Sequence, residues 1–380
     1  MATPDQRNAL MILNALPGVG PVTVRRLRDR FEPEFPEYAL GILGAPAKVL
    51  REVKGVGPEL SDTISRWREF FDLERELDIL GRHKADFITH DDLRYPALLK
   101  EIYDPPCGLY CLGTLAVKRP AVAIVGTRRP TLYGRGVAKS LATELTRLGF
   151  CIVSGLARGI DTEAHTATLD AGGYTVAVLG NGLDIVYPPE NLELYRRIAA
   201  SGAVLSEFPF GRKADKQTFP RRNRVVSGMC DAVIVVESDE NGGSMITARF
   251  AAEQGRQVFA VPGRIDQPAS RGCHALIRDG ATLLQSVDNV LDELHMQQME
   301  MPLLSGTTTA APASLATAAN LSADESAVYA IYADGEAVHP DEATRRSGMP
   351  YYTVTGVLMM LELKRLIAKR ADGTYEKRFG

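Results

Sequence analysis

The 380-residue sequence lacks the patterns that mark disulfide-rich, zinc-binding and membrane proteins. Its five cysteines are odd in number and form no CxxC pair, so we expect reduced thiols and no disulfide framework. Cys107 and Cys111 are the closest pair, and the lack of a second pair argues against a zinc site. No apolar run is long enough to cross a bilayer, and no basic stretch precedes an apolar run at the N-terminus. We therefore expect a cytoplasmic protein with no metal, no cofactor and no membrane span.

Common active-site motifs and a strong net charge are also missing. The chain contains neither a GxxxxGK[ST] phosphate loop nor a GxSxG nucleophile elbow. After the apolar run AVAIVG the glycines stand at 126, 134 and 136, which is not the GxGxxG spacing of dinucleotide-binding proteins. Lys and Arg total 44 against 47 Asp and Glu, so a nucleic-acid site would have to come from a local patch.

What is present is the composition of a soluble globular protein, with 45% hydrophobic and 24% charged residues, and a length that predicts two or three domains. An internal repeat occupies the first of them, residues 1–82. LPGVGPVTVRRL and VKGVGPELSDTI share a GVGP core before an amphipathic helix, the pattern of a helix-hairpin-helix. The candidate phosphate contacts are the two hairpins, Gly18, Val19, Gly20, Gly55, Val56 and Gly57. A purely structural role as tight turns is the alternative, and the residues leave both open.

The middle segment, residues 83–295, alternates apolar runs with helical stretches. Six runs are nearly continuously apolar, as strands covered on both faces must be: 121–126, 150–155, 174–180, 202–207, 232–237 and 257–263. This order predicts the α/β class with a Rossmann-like, doubly wound, mostly parallel sheet. Asp161 and His165 stand four residues apart at a predicted helix start. We favour Asp161 as the helix N-cap and His165 as a packed neighbour over a catalytic dyad.

The C-terminal part predicts a linker and a small helical domain. Residues 296–320 are small and polar, which is typical of a flexible linker. Residues 321–380 give three helical stretches and a hairpin turning at Asp372 and Gly373, the pattern of a winged helix. The third helix has no Lys or Arg between residues 350 and 363, so a partner-protein surface is favoured over DNA binding.

Arginines, glycines and hydroxyl side chains gather where the predicted strands end, the edge at which open α/β sheets bind ligands. The candidate contacts are Gly126, Thr127, Arg128, Gly155, Arg158, Lys216, Phe219, Arg221, Arg222, Arg224, Gly243 and Ser244. Several phosphate-binding turns with an interleaved phenylalanine suit an unpaired polynucleotide. The alternative is that these arginines pair with neighbouring carboxylates on a solvated face.

These residues lie in an ordered series of motifs that resembles the bacterial DNA processing protein A family, also called Smf. The series runs from about residue 84 to 290 and consists of YPALLKEIYDPPCGLYCLG, AIVGTRRPTLYG, IVSGLARGIDTEAH, TVAVLGNGLDIVYPPEN, LSEFPFG, FPRRNRVVSG and GSMITARFAAEQGRQVFAVPG. Many members of that family carry a helix-hairpin-helix domain before the core and a winged-helix-like domain after it.

The resemblance implies an extended Rossmann core that dimerises and binds single-stranded DNA. It also implies a recombination mediator, not an enzyme, that protects incoming strands in natural transformation, helps to load RecA and displaces single-strand-binding protein. The family's Gly-Ser-Arg turn matches Gly126, Thr127 and Arg128, and its basic-aromatic stretch matches residues 216–224, with Phe219 at the phenylalanine. Thr127 replaces the usual serine and keeps the hydroxyl.

Two other functions compete with this interpretation. A nucleotide-processing, phosphoribohydrolase-like enzyme would use a glycine pair such as the one in NGGSMIT. Such an enzyme needs a carboxylate soon after that turn, and none precedes Glu253. A scaffold that acts only through its terminal domains would not bind oligonucleotides.

Overall fold

A computed structural model describes residues 3–35, 37–116, 120–294, 321–332, 338–364, 366–370 and 373–377. The chain divides into two compact units, Met1–Met299 and Glu300–Gly380. The predicted linker and Asp372 lie outside the described residues. The predicted boundary between residues 82 and 83 falls inside the first unit and stays a prediction. None of the described helices has both the length and the hydropathy needed to cross a membrane.

Six helices form the N-terminal part of the first unit: α1 (Pro4–Ala15), α2 (Pro21–Phe31), α3 (Tyr38–Gly44), α4 (Ala47–Leu50), α5 (Pro58–Ser65) and α6 (Leu73–Arg82). Each GVGP core ends at a helix start, with Gly20 and Gly57 as N-caps and a proline at the first helical position. Gly18 and Gly55 have φ angles of 76° and 90°, a region open to glycine at little cost. Each copy of the repeat therefore forms a glycine turn followed directly by a helix, as the sequence predicts.

A nine-stranded sheet forms the rest of the first unit, in the order β1-β2-β6-β5-β4-β3-β7-β8-β9. Its strands are β1 (Asp86–Thr89), β2 (Gly108–Gly113), β3 (Ala121–Val125), β4 (Cys151–Ser154), β5 (Thr175–Leu179), β6 (Ala203–Ser206), β7 (Ala232–Val235), β8 (Gln257–Ala260) and β9 (Thr282–Leu283). Strands β3 to β9 pair in parallel, while β1 and β2 add an antiparallel edge. All six predicted strands are confirmed, and β1, β2 and β9 are additions to the prediction.

Helices cover both faces of the sheet, which confirms the doubly wound class. They are α7 (Ala97–Lys100), α8 (Leu132–Arg147), α9 (Ile160–Asp170), α10 (Leu192–Ser201), α11 (Thr218–Gly228), α12 (Gly243–Glu253), α13 (Arg271–Arg278) and α14 (Val287–Glu293). Apolar residues of α8, α9 and α14 share one core with the sheet, and those of α7, α11, α12 and α13 share another. All residues of β3, β4 and β5 are buried, which explains their uninterrupted apolar runs.

The order of the strands places a switch point beside β3. From β3 the chain builds outward through β4, β5 and β6, then returns to β7 on the other side of β3. Connections leave in opposite directions there, so a crevice opens at the carboxyl ends of β3, β4 and β7.

The second unit contains α15 (Ala323–Ala330), α16 (Pro340–Ser347), α17 (Tyr351–Leu363), β10 (Ile367–Lys369) and β11 (Tyr375–Lys377). Three helices followed by an antiparallel hairpin confirm the predicted winged helix. Val328, Tyr332 and Val354 belong to its buried core. Tyr352 and Met359, on α17, are 79% and 66% exposed, so this helix presents an uncharged outer face.

Candidate nucleic-acid interface

An open cleft of about 520 Å³ lies at the switch point of the sheet. The turns after β3, β4 and β7, together with α11 and the start of α12, form its walls. Nine of the predicted contact residues line it: Gly126, Thr127, Arg128, Gly155, Lys216, Phe219, Arg222, Gly243 and Ser244. The fold therefore brings together turns that are far apart in the sequence.

The turn after β3 is held closely against its neighbours. A Cβ atom at Gly126 would lie 2.6 Å from Ile160 Cγ1 and 2.9 Å from the carbonyl oxygen of Glu237. The backbone N–H of Thr127 donates to that same Glu237 oxygen at 2.7 Å. This packing leaves room for glycine alone at position 126, and it fixes the backbone from which Arg128 and Arg129 project.

Glu237 is a supporting residue that the sequence interpretation missed. Its buried carboxylate accepts hydrogen bonds from the backbone N–H of Thr131 at 2.9 Å and from the Thr131 hydroxyl at 2.5 Å. Thr131 is the N-cap of α8, so the end of β7 is joined to the start of that helix. The sequence did offer a signal for this role, because Glu237 is an acidic residue at the end of the apolar run AVIVVE.

Three cations border the cleft without a carboxylate partner. Arg128, Arg129 and Lys216 are exposed, and within the described residues none of them forms an ion pair. The guanidinium carbon of Arg128 lies 5.3 Å from the ring centroid of the half-buried Phe219. A cation and an aromatic face therefore stand side by side, the combination that binds phosphates and stacks unpaired bases.

The N-terminus of α12 adds partial positive charge to the same cleft. This eleven-residue helix begins at Gly243, and its N-cap residue Gly242 has no side chain to occupy the first N–H groups. The Ser244 hydroxyl points inward and donates to Ser238 Oγ at 2.8 Å. At this end of the cleft the backbone, not the serine side chain, is the feature suited to an anion.

Arg222 forms the floor of the cleft. Its Nη1 donates to the carbonyl oxygens of Gly155 and Val178, and a Cβ atom at Gly155 would lie only 2.1 Å from that nitrogen. The Asp161 carboxylate accepts from the N–H groups of Gly155 and Ala157 at 3.0 and 3.3 Å. Burial lowers the pKa of Arg222 and raises that of Asp161, while the charge of each opposes the shift of the other. Arg222 therefore positions the turn after β4.

Arg224 does not reach the cleft, and its prediction as an exposed phosphate contact is corrected by the structure. The Arg224 side chain is 4% exposed, its Nη2 lies 2.5 Å from Glu207 Oε1, and its Nε lies 3.2 Å from Asp104 Oδ2. Arg221 is half exposed on the same side, with Nη2 3.6 Å from Glu207 Oε1. Helical spacing explains the division, because Phe219, Arg222 and Asn223 share one side of α11 and Arg221 and Arg224 the other.

Arg158 lies in a groove beside the cleft, together with Arg128 and Phe219. It forms an exposed ion pair with Glu190, in which Nη2 is 3.1 Å from Oε2. For this residue the alternative of pairing on a solvated face is the one that the structure displays. Such a pair is worth about 0–1 kcal/mol, so it leaves the arginine available to a stronger anion.

The helix-hairpin-helix region offers less to a phosphate than its sequence suggests. Each α2 arginine has an internal partner: Arg25 the carbonyl of Tyr103, Arg26 that of Lys54, Arg28 Asp29 and Glu32, and Arg30 Glu34 and Glu52. Gly18 and Gly57 border an open cleft that also contains Glu59 and Asp62. DNA contact through the hairpins stays a prediction, and the carboxylates of Glu59 and Asp62 lie beside the hairpin glycines.

Asp161 and His165 are structural, although in a different way from the prediction. The N-cap of α9 is Gly159, and Asp161 lies two positions into the helix. His165 Nδ1 is 2.7 Å from Thr175 Oγ1, whose hydroxyl donates to the carbonyl of Ile152. Nδ1 must therefore carry the proton and donate to Thr175.

Stability is expected to depend on pH through His165. Burial, with a contribution from Arg222, lowers the pKa of His165 from 6.5 to about 3. Between these values the unfolded chain binds a proton that the folded chain does not, so stability falls as the pH drops below about 6.5. In His165→Asn, whose amide can still donate to Thr175, the free energy of unfolding should fall less steeply, by up to about 1.4 kcal/mol per pH unit. Urea unfolding between pH 7 and 4 measures both slopes, and equal slopes would contradict the assignment.

Comparison with known proteins gives consistent results. The family model of DNA recombination-mediator protein A matches residues 86–295, and that of the DprA winged helix domain matches residues 310–373. The putative DNA processing protein DprA of Mycobacterium tuberculosis is 36% identical over 335 residues, 84% of each chain. DNA processing protein DprA of Bacillus subtilis is 46% identical over 230 residues, 60% of this chain and 77% of the relative.

Solved structures agree with these matches. DNA processing protein A from Streptococcus pneumoniae has a TM-score of 0.66 at 36% identity, covering 75% of this chain and 97% of that one. A structure described as giving the single-stranded DNA binding mode of DNA processing protein A from Helicobacter pylori has a TM-score of 0.50 at 33% identity, covering 55% of this chain and 96% of that one. The chain belongs to the DNA recombination-mediator protein A family.

Proposed function

We propose that this protein binds single-stranded DNA at the switch-point cleft and acts as a recombination mediator. The observation that carries the proposal is that Arg128, Arg129 and Lys216, which form no ion pair within the described part of the chain, line one cleft with Phe219, whose ring contacts the Arg128 guanidinium. The Helicobacter pylori relative, described as binding single-stranded DNA, supports the same ligand class.

The binding mechanism follows from the chemistry of the cleft. Arg128 and Lys216 would hold backbone phosphates, and the start of α12 would place N–H groups and a dipole toward a third. Phe219 would stack a base, which any base allows because each has a π-face. Duplex DNA hides those faces, so single strands are preferred and sequence matters little.

The finer roles are proposals of the same kind. We propose that the protein protects incoming single strands during natural transformation, helps to load RecA and displaces single-strand-binding protein, and that it works as a homodimer in the cytoplasm. They rest on family membership and on the ligand class inferred from the cleft. A RecA strand-exchange assay on oligonucleotides already coated with single-strand-binding protein tests the mediator role, and the mass in solution tests the dimer.

A mediator fits the cleft better than a phosphoribohydrolase-like enzyme does. The first carboxylate that follows the glycine pair along the chain is Glu253, at the far end of α12. Ten residues of helix separate it from Gly243 by roughly 15 Å. The carboxylate of Asp161 is already engaged by backbone N–H groups. Base release from nucleoside monophosphates would favour the enzyme instead.

Replacing Arg128 by alanine is expected to weaken binding to all single-stranded sequences alike and to flatten its salt dependence. Removal of one phosphate contact should lower the slope of log K against log salt by about 0.7. Fluorescence anisotropy with oligo-dT and a mixed sequence at several salt concentrations measures both quantities. Arg147→Ala, an exposed arginine in the last turn of α8, is the matched control. An unchanged slope in Arg128→Ala would remove this residue from the site.

A further inference from the structure

A shallow groove of about 10 Å³ adjoins the cleft on the side of the carboxyl end of β5. Arg128, Arg158, Tyr187, Pro188, Phe219 and Arg222 line it. Arg128, Phe219 and Arg222 also line the switch-point cleft, so the two depressions share a wall. A strand bound in the cleft can therefore extend over this groove without leaving the protein surface.

Tyr187 presents an aromatic surface within the groove. Its ring centroid lies 6.0 Å from that of Phe219, and the two ring planes are inclined by 52°. Tyr187 is 40% exposed, which is more than a residue serving only to cover Phe219 would require. The inclination prevents one base from lying flat against both rings, so each ring can stack a base of its own.

Arg158 supplies the cation that such a site needs. Both side chains of the Arg158–Glu190 pair are about half exposed, at 49% and 51%. A surface pair of this kind contributes little to stability, whereas arginine binds phosphate through two parallel hydrogen bonds. A phosphate beside Tyr187 can therefore displace Glu190 from Arg158.

We infer that this groove is a second nucleotide subsite, in which Tyr187 stacks the base adjacent to the one on Phe219 and Arg158 binds the accompanying phosphate. The ligand is the neighbouring nucleotide of the same single strand, with no preference for base identity. The inference rests on the proposed function and extends it, because it gives the path of the bound DNA across the protein, from the ends of β3 and β4 toward the end of β5.

The first test compares Tyr187 variants in the full-length protein. Tyr187→Ala and Tyr187→Leu should each weaken binding of a short oligo-dT by roughly 5- to 150-fold, the equivalent of one stacked base. Tyr187→Phe keeps the ring and should bind like the unchanged protein. Leucine keeps the apolar cover on Phe219, so a loss in both Leu and Ala separates stacking from packing. Tyr103→Ala, which removes another exposed tyrosine, is the control and should have no effect.

The second test locates the base. Short oligonucleotides carrying one abasic position are scanned against the unchanged protein, Phe219→Ala and Tyr187→Ala. Each variant should lose sensitivity at one position, and the two positions should be neighbours. Wild-type-like binding by Tyr187→Ala and Tyr187→Leu, together with weak binding by Phe219→Ala, would overturn the subsite and leave the proposed function standing. Absence of binding by the unchanged protein would instead overturn the proposed function.

A third test uses the ion pair. Glu190→Gln removes the carboxylate that pairs with Arg158. This variant should bind single-stranded DNA several-fold more tightly at low salt, because the DNA phosphate no longer competes with Glu190 for the guanidinium. Arg158→Ala should weaken binding and lower the salt slope by about 0.7. Equal affinities for these two variants would contradict the role assigned to Arg158.

Discussion

Replacing Arg224 by alanine is expected to lower the free energy of unfolding by about 3–5 kcal/mol. The Arg224 guanidinium and the Glu207 carboxylate are both almost fully buried and lie 2.5 Å apart. Removing the arginine would leave Glu207 as a buried charge with no cation at that distance. Arg221 Nη2, at 3.6 Å and half exposed, cannot compensate fully. Equilibrium urea unfolding measures the loss.

The matched control for this prediction is Arg221→Ala, three residues earlier on the same helix. Arg221 is half exposed, so its loss should cost no more than about 1 kcal/mol. Folded Arg224→Ala, held at low temperature, should retain its affinity for single-stranded DNA, because Arg224 does not line the cleft. Equal destabilisation by the two variants would contradict the structural role, and a large loss of affinity in the folded Arg224→Ala protein would restore it as a DNA contact.

Replacing Phe219 by alanine is expected to weaken single-stranded DNA binding by about 1–3 kcal/mol, roughly 5- to 150-fold. The salt slope should stay the same, because the substitution removes a stacking face and no charge. This combination separates Phe219 from Arg128, whose loss should change the slope. Anisotropy titrations at several salt concentrations give both quantities. Tyr103→Ala, which removes an exposed aromatic ring outside the cleft, is the control and should leave the affinity unchanged.

Arg128 and Phe219 should also show energetic coupling. The Arg128 guanidinium lies over the Phe219 ring, so each side chain helps to orient the other. In a double-mutant cycle, the combined loss in Arg128→Ala/Phe219→Ala should differ from the sum of the single losses by at least about 0.5 kcal/mol. Strict additivity, or a weaker salt slope in Phe219→Ala alone, would argue against a joint site.

The core of the fold was predictable because fully buried parallel strands have little choice of residue. Each of the six apolar runs became a strand at nearly its predicted position. Strands β1 and β2 were missed since they pair antiparallel and are separated by residues 90–107, which contain three prolines and the short helix α7 and so give a weaker local signal. The motif that contains β2, residues 95–113, contributed to the family resemblance without indicating how the strand pairs.

The candidate site was predictable in its location and less so in its arginines. The expectation that ligands bind at the carboxyl ends of the strands placed these turns together correctly, because the carboxyl ends of parallel strands lie at one edge of the sheet. The roles of Arg221, Arg222 and Arg224 depend on which way α11 faces and on carboxylates at Glu207 and Asp104, distant in sequence. Helical periodicity could have separated Arg222 from the other two, but it could not have identified their partners.

The N-terminal helices share their apolar core with the sheet, and this affects how the protein can be divided. Residues of α1 such as Leu10 and Leu13 lie in one buried cluster with Phe87 of β1 and Tyr110 of β2. Asn14 donates to the carbonyl of Glu207 at 2.7 Å, and Glu76 accepts from the N–H of Phe210 at 3.0 Å. A truncated protein that starts after residue 82 would therefore expose the hydrophobic surface of the sheet that these helices cover, and we expect it to aggregate. Chimeras between relatives should exchange this region together with its counterpart surface on the sheet.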